Sequence, residues 1–254
     1  MLFLILRFLP FIIPIAYFSS IRAIFYFDEY WTWVSATMVF LPVLYFGLLK
    51  YKNKSKEVLF LGAYGLIFAA TGFSYVLILE NQYAITLYLL IWSLVYGLYL
   101  EAVFHDFYET SKAYVLNLKN ITLFGGMLTV FFLTAALNSF NIFLSLPWFY
   151  LLSVLAASYF IISYLIILGN SLNKRQSLLY SGIIGLIITE IVSVLMLLPS
   201  SFYIIAIITT LVYYVMVSLF LTSLGKVMQK NDLWRYLIFA ALALLLAVLT
   251  ANWF

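Results

Sequence analysis

The sequence predicts an all-α polytopic transmembrane bundle, and three observations predict it. Apolar stretches of about 20 residues, the length that crosses a hydrocarbon core of roughly 30 Å as helix, recur along the chain with only short loops between them. Hydrophobic residues make up 67% of the 254-residue chain and charged residues 9%, a balance that polar surface cannot cover in water. Twelve of the 13 Lys and Arg residues fall on loops that a simple alternation puts on one side of a membrane, Arg22 being the exception. The expected organisation is a single integral membrane helical domain over residues 1–254, with no soluble domain.

Nine stretches qualify as spans of about 20 residues, taken in order. The first, Leu2–Ser19, is apolar around Arg7 and is punctuated by Pro10 and Pro14. Its charge lies inside the apolar run, and Ser19-Ser20-Ile21 is a poor cleavage site, so it reads as a retained helix and not as a secretory leader. The second and third, Trp31–Leu49 and Val58–Leu79, flank Lys50, Lys52, Lys54 and Lys56. The fourth, Tyr83–Phe104, follows an Asn81-Gln82 turn and precedes Lys112 and Lys119. The fifth and sixth, Ile121–Ser139 and Trp148–Gly169, meet at Leu146-Pro147, where proline cannot continue the preceding helix. The seventh and eighth, Ser177–Leu198 and Phe202–Leu224, meet at Pro199-Ser200-Ser201; Lys174 and Arg175 precede the seventh, and Lys226, Lys230 and Arg235 follow the eighth. Tyr236–Trp253 is the ninth.

The basic loops recur after every second span, so the positive-inside bias predicts a cytoplasmic amino terminus and, after nine spans, an extracytoplasmic carboxy terminus. Trp31, Trp33, Trp148, Phe149, Tyr150, Tyr203 and Trp253 gather at the predicted outer ends, where amphipathic rings suit the headgroup layer. Arg22, Asp28 and Glu29 form the one charged cluster on that side. Localisation follows: integral to a membrane, with a prokaryotic plasma membrane the expected one. Membrane lipids are the expected partners, other membrane proteins are candidate partners, and nucleic acid is not expected, because the bases sit in short loops where topology and anionic headgroups require them.

Cysteine is absent and histidine occurs once, which removes disulfides, thiolate nucleophiles, Cys-based zinc sites and multi-histidine metal or haem ligation. No cofactor and no metal site are predicted. A Gly-x-Ser-x-Gly elbow and a His-Glu-x-x-His run are both missing from the sequence.

Two polar constellations break the apolar pattern. Glu190 lies about 21 Å along its span at 1.5 Å per residue, a depth at which an ionised carboxylate costs roughly 2.5–3.5 kcal/mol on insertion scales. It is predicted to be buried, with Thr189 and Ser193 on neighbouring turns and Thr209, Thr210, Tyr213 and Tyr214 brought to its depth by the next hairpin. That set is a candidate transport or ligand site, or a carboxyl that joins two helices. Glu101, His105, Asp106 and Glu109 lie at the predicted cytoplasmic end of the fourth span, and positions 101, 105 and 109 share a helix face. They are the weak catalytic candidates, since carboxylate, imidazole and carboxylate on one face can carry acid–base chemistry at a membrane surface. Their ordinary alternative is a solvated helix end paired with Lys112 and Lys119. Glycines at 62, 65 and 72, at 125 and 126, and at 182 and 185 read as helix-packing faces. Asn138, Ser139 and Asn141 read as a helix stop.

Three functions are compatible with this pattern. The first is a non-catalytic membrane subunit or scaffold that binds partners within the bilayer. The second is a small-molecule, lipid or ion transporter that uses Glu190. The third is a membrane-surface enzyme acting on a lipid-linked substrate through Glu101, His105, Asp106 and Glu109.

Overall fold

The computed structural model describes residues 2–25, 31–53, 57–108, 118–169, 174–198, 200–225 and 238. Among them the secondary structure is entirely helical, in eight helices: α1 (Leu2–Ile24), α2 (Trp31–Asn53), α3 (Glu57–Val76), α4 (Gln82–Tyr108), α5 (Leu118–Leu144), α6 (Trp148–Gly169), α7 (Lys174–Leu195) and α8 (Phe202–Gly225). All eight are long and apolar enough to cross a membrane. The predicted ninth span falls, Ile238 apart, outside the described residues.

Several helices run past the predicted spans, because apolar composition marks the hydrocarbon core while backbone hydrogen bonding continues into the polar layer. α1 continues to Ile24, which puts Arg22 in its last turn. There a cation meets the carbonyl end of the helix dipole, a local reason for the one base that the charge rule leaves on the wrong side. α4 is 27 residues long, about 40 Å. Its start is capped by Asn81, whose side-chain oxygen accepts from the Tyr83 amide at 2.8 Å. The expected stop at Asn138 and Ser139 is corrected: α5 runs on to Leu144, and both side chains are buried. Asn138 donates Nδ2–H to the Thr134 carbonyl and Ser139 donates to the Ala136 carbonyl, so their polarity is consumed inside the helix. The turn comes at Ser145, which takes a left-handed φ of 52° just ahead of Leu146-Pro147.

The chain groups into two compact units, Met1–Gly125 and Gly126–Phe254. In the first, α1 packs on α2, α2 on α3, α3 on α4, and α4 back on α1, which closes a four-helix ring. Its core is aromatic: Tyr17, Tyr45, Tyr64, Phe68, Trp92, Tyr96 and Tyr99 are almost wholly buried. Tyr17 stacks on Trp92 and Tyr96 with ring centroids 5.8 and 5.4 Å away.

Four of these hydroxyls, with Tyr88, find the same kind of acceptor. Tyr17 donates to the Met38 carbonyl (2.7 Å), Tyr45 to Leu100 (3.0 Å) and Tyr99 to Leu61 (2.6 Å). Tyr64 donates to Thr122 (2.7 Å) and Tyr88 to Gly72 (3.1 Å). A helical carbonyl keeps a second lone pair after its own i+4 bond. A tyrosine therefore joins two helices without leaving a polar atom in the apolar interior. The glycines of α3 make room for rings more than for backbones. A side chain at Gly72 would run into the Trp92 indole, and one at Gly65 would crowd Phe46 and Tyr99.

In the second unit α6 packs on α7 and α7 on α8. Thr134 on α5 already donates to the Val130 carbonyl, so the Tyr159 hydroxyl on α6 is the donor in their 2.6 Å contact. Ser163 on α6 donates to the Tyr213 hydroxyl on α8 at 3.3 Å. Gly185 on α7 does admit a backbone: an added side chain would meet the main chain of Phe160 at 3.2 Å.

Candidate functional site

One cluster of ionisable residues in the first unit, Arg7, Glu101 and His105, forms where α1 and α4 pack. Glu101 and His105, one helical turn apart on α4, are 9% and 6% exposed, and the His105 Nε2–H donates to Glu101 Oε1 at 3.0 Å. Arg7 on α1 reaches the same oxygen at 3.6 Å, and its side chain is 37% exposed. Its guanidinium also lies over the Phe104 ring, 5.2 Å from the centroid. Lys52, at the end of α2, sits over both Phe3 and Tyr108, at 5.1 and 4.5 Å. One cation is thus held by rings from α1 and α4, and another by a carboxylate that itself carries an imidazole.

The shared helix face predicted for Glu101 and His105 is present, while the expected partners, Lys112 and the side chain of Lys119, lie outside the described residues. The predicted solvated helix end is buried at these two positions. The base that meets Glu101 comes from α1, because the α1–α4 packing closes the ring and brings Arg7 alongside. Asp106 is exposed, and Glu109, with the expected partner Lys112, lies outside the described residues. In the sequence Arg7 bears on topology, and nothing there names its partner. The position of Arg7 inside an apolar run was the available signal, since a base within a span needs an acid within reach. Among the described residues no group of three or more His, Asp and Glu side chains is placed to hold a metal ion.

Beside this cluster an apolar cavity of about 650 Å³ runs between α1 and α4, lined by Pro10, Pro14, Phe18, Leu94 and Gly97 among others, with Glu101 at one end. Pro14 and the Pro10 carbonyl stand close over Gly97, where an added Cβ would lie 3.0 Å from the proline ring. Glu101 Oε2 is shielded from water and has no hydrogen-bond partner. Buried polar atoms are almost always satisfied, so this oxygen is one of the few exceptions among the described residues.

The second predicted set does not converge. Glu190 is exposed. The buried face of α7 carries Ser177, Ser181, Ile184, Gly185, Ile188 and Val192. Glu190 stands on the opposite face, in line with the exposed Leu179, Ile183, Leu186, Val194 and Leu197 at three- and four-residue spacing. The predicted burial among helices is therefore corrected. The spacing of the hairpin sets depth but not rotation, and the rotation turns the carboxylate outward. Thr189 donates to the Gly185 carbonyl, Ser193 to the carbonyl of Glu190 itself, and Thr210 to the Ala206 carbonyl, while Tyr213 is buried with Ser163.

A family described as "Protein of unknown function (DUF5656)" matches residues 128–250, a little under half of the chain. The match takes in most of α5 and all of α6 to α8, and leaves Arg7, Glu101 and His105 outside it. No curated protein and no solved structure matches the chain.

Proposed function

We propose that the protein is a non-catalytic membrane subunit that binds another membrane protein through the outer face of α7. One observation carries this reading: Glu190 is the lone carboxylate in an otherwise apolar exposed stripe on a helix long enough to span. Lipid tails cannot solvate it, and an acid left facing them costs roughly 2.5–3.5 kcal/mol near the helix centre. A partner helix that presents a Lys, Arg, His or amide donor removes that cost, and the flanking Leu and Val side chains supply the packing surface. A second copy of this chain suits the face less well, because it would set carboxylate against carboxylate. A transport role for Glu190 draws less support, since such a site needs groups that converge on a cavity and Thr210 and Tyr213 are engaged elsewhere.

The chain has no cysteine, so Leu186→Cys and Val194→Cys place single reactive positions beside Glu190. Crosslinking in native membranes is expected to join these variants to a different protein, and to lose that product when Glu190→Leu is added. Crosslinks to a second copy alone, or a product unchanged by Glu190→Leu, would overturn the proposal.

A further inference from the structure

Independently of the α7 face, we infer that the α1–α4 cavity is a binding site for one acyl chain of an aminophospholipid, whose ammonium group is received by Glu101. Length, charge and an unmet hydrogen bond support this. The lining on α4 runs from Leu90 to Glu101, about 16 Å of helix at 1.5 Å per residue. That is the depth of one leaflet, half of a core of roughly 30 Å. α4 is about 40 Å long and overhangs such a core, so Glu101, seven residues from its end, lies just beneath the interface. The head of a lipid whose chain fills the cavity comes to rest there.

The polar end of the cavity is itself zwitterionic. The Arg7 guanidinium, about a third exposed, is beside the Glu101 carboxylate, and this pairing complements a phosphate and an ammonium carried on one head. Glu101 Oε1 already receives His105, whereas Oε2 has no partner. Oε2 has no surface open to water in this arrangement, while Glu101 lines the end of the cavity, so a donor arriving there meets this oxygen once the side chain turns toward the lining. A primary ammonium brings N–H donors to that oxygen, whereas the quaternary ammonium of phosphatidylcholine brings none. The two heads share a phosphate and a net charge of zero and differ at the nitrogen, which makes them the natural pair of probes.

The full chain is reconstituted in phosphatidylcholine vesicles with a trace of phosphatidylethanolamine or phosphatidylcholine bearing a photoactivatable group on one acyl chain. After irradiation the adducts are mapped by mass spectrometry. The expected result is labelling concentrated on Phe11, Ile15, Leu94 and Leu98, with the ethanolamine probe ahead by roughly fivefold, the order of one net hydrogen bond made by one head and not by the other. Glu101→Gln should abolish the preference between heads. Leu94→Trp, which fills the cavity without touching the ion cluster, should remove labelling by both probes there while leaving Ile161 and Leu186 labelled as before. Equal labelling by the two heads in the unaltered protein would overturn the inference. So would adducts as frequent at Leu186 as at Leu94, which describe an ordinary shell of lipid. If Glu101→Gln fails to fold, the comparison of heads and the Leu94→Trp variant still decide.

Discussion

The two units both join helices through hydroxyls, but they place the carboxylates within their membrane-length helices in opposite ways. In the first, tyrosine hydroxyls cross to carbonyls of other helices, and Glu101 turns inward to meet Arg7 and His105. In the second, Thr189, Thr209 and Thr210 close on carbonyls of their own helices, and Glu190 turns outward. The difference follows from which bases each carboxylate can reach. Arg7 stands beside Glu101. Among the described residues of the second unit the bases are Lys174 and Arg175, fifteen or more residues before Glu190 on the same helix and more than 20 Å away. An acid with a base in its own bundle becomes part of the bundle. One without a base becomes a demand on the surroundings.

The sharpest way to break the comparison is through glycine. Gly72 in the first unit has the Trp92 ring directly over it, whereas nothing lies within 4 Å of a Cβ placed on Gly182 in the second. Gly72→Ala is expected to cost about 3 kcal/mol, the upper range for overpacking a filled core. Gly182→Ala should be neutral or stabilise by up to about 1 kcal/mol through helix propensity. Thermal unfolding in a mild detergent reads both. Similar melting points for the two variants would mean that the aromatic core of the first unit is looser than described.

Removing one partner of the ion pair comes next. Arg7→Leu strands the Glu101 carboxylate, and a broken buried pair costs roughly 3–5 kcal/mol when both groups are fully shielded. Arg7 is 37% exposed at its side chain, so the lower end, about 2–3 kcal/mol, is expected here. Adding Glu101→Leu should recover most of the loss, because the double variant strands no carboxylate. A double variant less stable than either single one would show that the pair stabilises the fold outright.

The cross-helix tyrosines come third. Tyr99→Phe deletes the 2.6 Å bond to Leu61 and should cost about 1 kcal/mol. Thr210→Val removes a bond to its own helix and should change stability by less than about 0.5 kcal/mol, since that bond forms in any helical state of the segment. Equal effects would erase the distinction between hydroxyls that join helices and hydroxyls that are merely satisfied.

The helical class and the approximate spans were legible in composition because lipid imposes one length and one polarity on every segment that crosses it. The face-sharing of Glu101 and His105 was legible because it is a property of a single helix. What the chain did not disclose is rotation. Most faces of these helices are rich in Leu, Ile, Phe and Tyr, and in α7 the inward side is marked only by the small residues Ser177, Ser181 and Gly185 at four-residue spacing. Glu190 was accordingly placed among helices when it stands outside them. Partnerships between distant helices were hidden for the same reason. Arg7 and Glu101 are 94 positions apart, and only the closure of the α1–α4 ring brings them together. The helix stop expected at Asn138 and Ser139 failed on another ground, since asparagine and serine interrupt a helix only where they cannot bond back to it.

The smallest effect on stability is expected at Glu190, and it tests the comparison from the other side. If the second unit turns this carboxylate outward, its own packing does not depend on it. Glu190→Leu in the purified chain should then shift stability by less than about 0.5 kcal/mol, as surface substitutions do, or raise it slightly by completing the apolar stripe of Leu186 and Val194. A loss above about 1 kcal/mol would mean that the carboxylate holds helices of this chain together. The two units would then handle their acids alike. A neutral result at this position sharpens the contrast instead, because a costly group that contributes nothing to its own fold has to be accounted for by what binds it.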